Sequence, residues 1–352
     1  MELEEKSDSG WLSLKGGWTR VMSHGCVTPF DSKETLAQNC AHLIVVIPGN
    51  PGVDQFYRDF SKRLLDDLER RGELEEYKFE GGCAVWTVSH LNHVQPPAEL
   101  RDDGKERAMI GLKQQADHKF DFITRFVPVG TRQPKLYLVG HSIGCHMILN
   151  VLPRLLSYGY SIQRALLLFP TIERMAESPN GLSYSWFIQG WGYRPMWHLL
   201  AVLNWLPLAL KRSLVDWWMG EEADESVCAA VEELTNKLSL RNVLSMSREE
   251  LNTVVDLDSD LVLSHRRLLT FYYGTGDQWC PLSYGRDMKR LLSLSADSVE
   301  AKEDDSVESV VFCDSDCKHA FVLEHSDVMA RKVARFVRIH SQAQLGGHEM
   351  EQ

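Results

Sequence analysis

Short runs of consecutive apolar residues recur along the chain, and most of them end at a glycine, a proline or a polar turn. Unbroken apolar runs of this length are typical of strands that are covered on both faces of a parallel sheet, whereas half-exposed strands alternate. The pattern predicts strands at Leu43–Ile47, Ala84–Val88, Leu136–Val139, Ala165–Phe169, Leu268–Tyr273 and Ser309–Phe312.

Patterns with helical spacing lie between these runs. Alternation of strands and helices predicts an α/β fold with a mostly parallel sheet and helices on both of its sides. Near the start of the chain, Gly16-Gly17 predicts a hairpin turn between Trp11 and Val21. The helices are predicted at Tyr57–Arg70, Arg107–Phe126, Ile143–Ser157, Tyr284–Leu294 and Asp327–His340.

The stretch from residue 171 to residue 264 departs from this alternation, because it is rich in helical patterns and tryptophan and has no clear strand. We interpret it as an insertion over the carboxyl ends of the strands, where sheets of this kind bind their ligands. The chain is therefore divided into a first core part (1–170), a helical cap (171–264), a second core part (265–342) and a polar tail (343–352).

Composition and charge narrow the function classes. The 352 residues are 44% hydrophobic and 25% charged, which is typical of a globular protein. A formal net charge of -11 argues against nucleic acid as a partner, because phosphate contacts require a basic surface. The 8 cysteines include no CxxC pair, and the first residues lack a signal-peptide pattern, so we expect reduced thiols and neither a metal nor an organic cofactor. An acidic run at 297–308 is interpreted as a solvated loop.

The clearest chemical signal is Gly140-His-Ser-Ile-Gly144, which lies between a predicted strand and a predicted helix. A G-x-S-x-G in this context forms a sharp turn that exposes the serine hydroxyl at the edge of the sheet. The turn leaves no room for side chains two residues before and two residues after the serine. Ser142 is therefore the candidate nucleophile, with Gly140 and Gly144 as the glycines that permit the turn.

A serine nucleophile requires an acid that orients its base, and in this architecture the acid comes next along the chain. Asp277 follows the predicted strand Leu268–Tyr273 on a glycine-rich turn, which makes it the first candidate. Glu173 is the second candidate because it also follows a strand. Asp256 and Asp258 are weaker candidates, since no clear strand precedes them.

The base should be a histidine near the end of the chain. His319 follows the last predicted strand after a short polar loop, so we predict that it accepts the proton of Ser142. His325 is the alternative, but it lies next to Ser326, a candidate cap of the last helix.

Acyl transfer also requires N–H groups that bind the oxyanion. Ile143, directly after the nucleophile, should provide one. The loop Pro48–Gly52, which follows the first buried strand, should provide the other, from Asn50 or else from Gly49, because Pro51 has no N–H. His90 and His93 follow the second buried strand, and we expect them to line the pocket.

Together these residues resemble the lipid droplet-associated hydrolase family of the α/β-hydrolase superfamily. The resemblance is based on Ile47–Val53 with Phe56-Tyr57, on Val88–His93, on Gly140–Gly144 and on the blocks around Asp277 and His319. It implies an α/β-hydrolase fold with a helical cap and a serine esterase of lipid droplets and the cytosolic face of the endoplasmic reticulum. It further implies cholesteryl ester or a related neutral lipid ester as the substrate, and a role in cholesterol and triacylglycerol homeostasis.

Two alternatives to this function stay open. One is a weakly catalytic or non-catalytic lipid droplet protein that promotes lipid storage or droplet growth with the same fold. The other is an acyltransferase or a haloperoxidase that uses the same three side chains.

The cap contains a segment suited to a lipid surface. Met196–Leu210 is 15 residues long and is interrupted by polar residues and a proline, so it is too short to span a bilayer. Tryptophan prefers the boundary between apolar material and water, and Lys211-Arg212 could reach headgroups. The alternative is a tryptophan-rich cap that only covers the active site. The predicted contacts with the droplet monolayer or the membrane surface are Trp197, Leu199, Leu203 and Trp205.

Overall fold

The computed structural model describes residues 6–70, 81–101, 108–189, 225–296 and 309–349, together with positions 206–207, 209–210, 213 and 217. At the centre of the described part is an eight-stranded sheet with the order β1-β2-β4-β3-β5-β6-β7-β8. Its strands are β1 (Lys6–Leu14), β2 (Gly17–Gly25), β3 (His42–Ile47), β4 (Cys83–Val88), β5 (Lys135–His141), β6 (Ile162–Leu168), β7 (Leu269–Tyr273) and β8 (Val310–Phe312).

The sheet has an antiparallel edge and a parallel centre. β1 and β2 form the predicted hairpin, and β2 pairs antiparallel with β4. All pairs from β4 through β3, β5, β6 and β7 to β8 are parallel. The carboxyl ends of these six strands consequently meet at one edge of the sheet, where ligand sites of such sheets form.

Helices cover the sheet on both faces, as the complete burial of β3, β4 and β6 requires. Helix α2 (Arg58–Glu69) packs on α11 (Ser326–Glu349), and α3 (Leu112–Phe126) packs on α4 (Ile143–Tyr158). The helices of the described part are α1 (Lys33–Asn39), α2 (Arg58–Glu69), α3 (Leu112–Phe126), α4 (Ile143–Tyr158), α5 (Pro179–Gln189), α6 (Glu225–Thr235), α7 (Lys237–Thr253), α8 (Ser259–Ser264), α9 (Leu282–Ala296), α10 (Phe321–Glu324) and α11 (Ser326–Glu349).

The six predicted core strands are confirmed, and the largest difference is at β6, which begins at Ile162 rather than Ala165, but two helix boundaries were wrong. Helix α3 begins at Leu112 rather than Arg107, because the Gln114 side chain accepts the Gly111 N–H and caps the helix there. Helix α11 continues to Glu349, so most of the predicted polar tail 343–352 is helical. Residues 341–345 include good helix formers and no proline, so the sequence does not end the helix at His340, and the helix also includes Gly346-Gly347 despite their low helix propensity.

The region between β6 and β7 contains α5 to α8 and, within its described residues, no strand. Ala230 of α6 packs against Val53 and Val94, which follow β3 and β4, so this helical region lies over the carboxyl edge of the sheet. The limits 171–264 stay a prediction. The predicted lipid contacts Trp197, Leu199, Leu203 and Trp205 and the acidic run 297–308 lie outside the described residues. Within the described residues, every helix is too short or too polar to cross a membrane.

Candidate active site

Ser142 lies at the turn between β5 and α4, with a backbone φ of 53° and ψ of -122°. This region is unfavourable for a side-chain-bearing residue, so the surrounding structure has to impose it. A Cβ atom on Gly140 would lie 2.9 Å from the Cys145 nitrogen, and one on Gly144 would lie 2.2 Å from the Ile47 oxygen. Both glycines are therefore required by the packing of the turn against α4 and against the end of β3.

The structure brings the three side chains predicted from the sequence into one hydrogen-bonded chain. Nε2 of His319 lies 3.0 Å from Oγ of Ser142. Nδ1 of the same ring lies 2.6 Å from Oδ2 of Asp277. Because a carboxylate can only accept, Nδ1 carries the proton and Nε2 of the neutral ring can accept the proton of the serine. Asp277 is 3% exposed and Ser142 is 9% exposed, so these hydrogen bonds are largely screened from water.

The carboxylate of Asp277 is held by its own loop. Oδ1 accepts the backbone N–H groups of Trp279, at 2.7 Å, and Cys280, at 3.2 Å. Oδ2 also accepts the thiol hydrogen of Cys280 at 3.0 Å. Burial alone would raise the pKa of Asp277, but the charge and hydrogen bond of His319, with the donors of its own loop, lower this pKa below its ordinary value. Asp277 is therefore anionic at neutral pH and orients the imidazole.

The alternative acids and the alternative base lie outside this hydrogen-bonded group. Glu173 forms an ion pair with Arg174 at 2.8 Å. Asp258 caps α8 by accepting the N–H of Leu261, and Asp256 is exposed. His325 lies between α10 and α11, at the C-cap of α10.

The loop Pro48–Gly52, here called the oxyanion loop after its predicted role, lies directly beside Ser142. A Cβ atom on Gly49 would come within 2.9 Å of the Ser142 Cβ. The Gly49 N–H already donates to the Tyr57 hydroxyl at 2.8 Å, which favours Asn50 as the second donor to an oxyanion. Ile143, the other predicted donor, is the first residue of α4, and the first N–H groups of a helix have no acceptor inside it.

The side chain of Asn50 connects the oxyanion loop to the cap. Its Nδ2 lies 2.8 Å from Oγ of Ser247 and 3.0 Å from Oε1 of Glu250, both on α7. Burial raises the pKa of Glu250 to about 8, although the hydrogen bond from Asn50 opposes this increase. The position of α7 and the position of the oxyanion loop are therefore linked.

His90 and His93, which the sequence predicts to line the pocket, contact the oxyanion loop. Both are almost fully buried, and burial lowers the pKa of His93 to about 4. Nδ1 of His93 donates to the Pro51 carbonyl at 2.6 Å. A Cβ atom on Gly52 would lie 2.3 Å from the His90 ring, so the loop packs directly on this histidine.

Among the described residues, one group of potential metal ligands has its donor atoms within 4.8 Å of one another, namely Asp277, Cys280 and His319. The hydrogen bonds of Asp277 to His319 and Cys280 account for this cluster without an ion.

Sequence reasoning missed several groups around the nucleophile. The Thr171 hydroxyl lies 3.4 Å from Ser142 Oγ, and Thr171 could have been found because it follows β6 at the carboxyl edge. The contact of Tyr57 with His141, at 2.6 Å, joins residues 84 positions apart, and nothing in the local pattern indicates it.

Comparisons with known proteins identify the family and the fold. The sequence profile of a family described as lipid-droplet associated hydrolase matches residues 40–322. A lipid droplet-associated hydrolase of Gallus gallus is 33% identical over 303 residues, which cover 84% of this chain and 84% of that protein. The protein of the same name from Homo sapiens is 32% identical over 300 residues, with 83% of each chain covered. The one from Drosophila melanogaster is 29% identical and covers 88% of this chain and 92% of its own.

Solved structures similar to this chain are α/β-hydrolases. A haloalkane dehalogenase from Bradyrhizobium elkani aligns with a TM-score of 0.55 and 12% identity, over 96% of this chain and 100% of its own. A serine hydrolase involved in carbazole degradation aligns with a TM-score of 0.54 and 14% identity, over 95% of this chain and 100% of its own. At this identity the likeness shows the fold, whereas the sequence matches show the family. The chain has the α/β-hydrolase fold and belongs to the lipid droplet-associated hydrolase family.

Proposed function

We propose that this chain is a serine hydrolase of carboxylic ester bonds that acts on neutral lipid esters, such as cholesteryl ester, at the lipid droplet surface. The observation that supports it best is the hydrogen-bonded chain from Ser142 through His319 to Asp277. The relatives are named lipid droplet-associated hydrolases, and these names support the proposed location and the proposed hydrolytic activity. In this proposal the enzyme takes part in cholesterol and triacylglycerol homeostasis, and it also meets the cytosolic face of the endoplasmic reticulum.

The proposed mechanism needs only side chains and amides of this chain. Oγ of Ser142 attacks the ester carbonyl while Nε2 of His319 accepts its proton. The negative charge that develops on the carbonyl oxygen is stabilised by the N–H groups of Ile143 and Asn50. His319 then returns the proton to the departing alcohol, and Asp277 stabilises the imidazolium. Water activated by the same histidine hydrolyses the acyl-serine and restores the enzyme.

The test is hydrolysis of a panel of lipid esters presented on artificial droplets, with the wild type and the Ser142→Ala variant compared at equal protein concentration. The proposal predicts release of fatty acid from cholesteryl ester or triacylglycerol by the wild type and none by the variant. A folded wild type that binds droplets without releasing fatty acid from any ester would favour a non-catalytic protein that promotes lipid storage.

We also propose that the cap segment around Trp197, Leu199, Leu203 and Trp205 contacts the lipid monolayer. Tryptophan and leucine gain free energy when they leave water for the apolar side of an interface. Replacing these four residues with serine should move the protein from droplets into the aqueous phase in a flotation assay. Flotation unchanged from that of the wild type would show that the segment only covers the site.

A further inference from the structure

The histidine directly before the nucleophile joins the two loops that serve Ser142. Nδ1 of His141 lies 2.6 Å from the Tyr57 hydroxyl, and Nε2 lies 2.8 Å from the backbone oxygen of His319. The Tyr57 oxygen also accepts the N–H of Gly49 in the oxyanion loop at 2.8 Å. His141 and Tyr57 are both buried, so these bonds form away from competing water.

The donor and the acceptor of each of these three hydrogen bonds can be assigned from the groups involved. The His319 carbonyl can only accept, so Nε2 of His141 must carry a proton. Burial lowers the pKa of His141 to about 3, so at neutral pH the ring has one proton and Nδ1 is an acceptor. Burial also raises the pKa of Tyr57, so its hydroxyl keeps the proton that it donates to Nδ1. The Tyr57 oxygen is then free to accept from Gly49.

We propose that Tyr57 and His141 are positioning residues, which hold the oxyanion loop and the His319 loop in fixed positions relative to Ser142. Neither residue touches the reacting atoms. Tyr57 fixes Gly49 and thereby the adjacent Asn50 amide, while His141 fixes the backbone from which the His319 side chain extends. The oxyanion loop and the His319 loop are thus connected through Tyr57 and the residue directly before Ser142.

The role of His141 depends on which ring nitrogen carries its proton. If the Tyr57 hydroxyl is removed, Nδ1 loses its donor and the Gly49 N–H is left buried without its acceptor. A buried donor without a partner is costly, so the loop is expected to shift until it finds one. Catalysis is sensitive to displacements of this kind, whereas binding of an apolar substrate is not. The inference therefore predicts a loss in kcat with little change in KM.

The experiment compares Tyr57→Phe with Tyr137→Phe as a matched control. Tyr137 lies on the same strand as His141, is fully buried, and its hydroxyl has no hydrogen-bond partner among the described residues. With p-nitrophenyl butyrate as a soluble probe, Tyr57→Phe should lower kcat about 10-fold or more while KM stays within about twofold. Tyr137→Phe should match the wild type in both constants. Equal kcat values for the two variants would overturn the inference.

A second pair of variants keeps the test valid if Tyr57→Phe folds poorly. His141→Gln retains one acceptor and one donor, whereas His141→Leu retains neither. At matched melting temperatures, the glutamine variant should be several-fold more active than the leucine variant. Adding Tyr57→Phe to His141→Leu should cause a smaller loss than Tyr57→Phe causes in the wild type, because the bond between Tyr57 and His141 is already absent. Full additivity, or equal activity of the two His141 variants, would contradict the proposal.

This inference rests on the proposed function, and a spectroscopic measurement separates the two. Nitrogen-15 shifts of selectively labelled histidine report which ring nitrogen of His141 carries the proton, with or without turnover. The wild type and Tyr137→Phe should show the proton on Nε2 and a hydrogen-bonded Nδ1, whereas Tyr57→Phe should keep the proton on Nε2 and show the shift of an Nδ1 that accepts no hydrogen bond. A wild type without esterase activity but with this tautomer would refute the proposed function and still support the hydrogen bonds of His141 that join the two loops. A proton on Nδ1 of His141 in the wild type would overturn the proposed positioning role of Tyr57 and His141.

Discussion

Oγ of Ser142 and Nε2 of His319 lie 3.0 Å apart although 177 positions separate the two residues in the chain. The contact forms because β5 and β8 end at the same edge of the parallel sheet, one leading into the nucleophile turn and the other into the histidine loop. Packing of the fold thus places the Ser142 hydroxyl beside a ring nitrogen that can accept its proton.

Replacement of Asp277 with asparagine tests the role of its charge. The amide keeps the size of the carboxylate but cannot stabilise an imidazolium, and it permits the wrong histidine tautomer. We expect kcat for a soluble ester to fall by roughly 10³- to 10⁴-fold, while the midpoint of denaturant unfolding changes little. Glu173→Gln is the matched control, since Glu173 also follows a core strand but is paired with Arg174. A similar loss in both variants would argue against Asp277 as the orienting acid.

Addition of a methyl group at Gly144 tests the packing of the nucleophile turn. A Cβ atom there would lie 2.2 Å from the Ile47 oxygen and 2.7 Å from the Pro48 oxygen, so the oxyanion loop has to move away. Gly144→Ala should lower the free energy of unfolding by about 1–3 kcal/mol and abolish measurable turnover.

Gly276→Ala is the control for this prediction, because a Cβ atom there would have its nearest neighbour at 3.9 Å. Its stability and kcat should stay close to those of the wild type. If Gly144→Ala turned over ester at the wild-type rate, the close approach of the turn to the oxyanion loop would be refuted.

The core of the fold follows from sequence because its strands are buried on both faces. Runs such as Leu43–Ile47 and Leu136–Val139 are apolar at every position, and they appear in the structure as β3 and β5. The sharp turn at Ser142 was equally predictable, since its two glycines are required by contacts of 2.9 Å and 2.2 Å with backbone atoms. Features that depend on local sterics and on burial can therefore be predicted from the sequence.

Contacts between residues that lie far apart in the sequence cannot be predicted in this way. The hydrogen bond of Tyr57 to His141 and the contact of Asn50 with Glu250 arise only when separate elements pack together. Helix ends are also hard to place, as α11 shows, because polar helix formers continue a helix and a polar tail equally well. The thiol of Cys280 that donates to Asp277 has no distinguishing sequence context at all.

Stability should depend on pH through Glu250. Burial raises its pKa from 4.5 to about 8 in the folded state, so the folded protein holds a proton that the unfolded chain releases. This contribution is fully favourable below pH 4.5, decreases as the pH rises from about 4.5 to about 8, and then stays constant. Each pKa unit corresponds to about 1.4 kcal/mol, so the loss amounts to several kcal/mol.

Glu250→Gln removes this titration and keeps the shape of the side chain. Denaturant unfolding at pH 5 and pH 8 should show that the variant loses less stability than the wild type between the two values. The exposed Asp256→Asn variant should behave like the wild type. Identical pH dependence in Glu250→Gln and the wild type would show that Glu250 is ionised in the fold.

Reaction with a fluorophosphonate probe tests the central claim most directly, because the probe bonds only to a serine whose base and oxyanion donors are in place. The purified wild type should be labelled, peptide mass spectrometry should locate the label on Ser142, and folded Ser142→Ala and His319→Ala variants should show none. A folded wild type that stays unlabelled, or a label that persists in Ser142→Ala, would contradict the account.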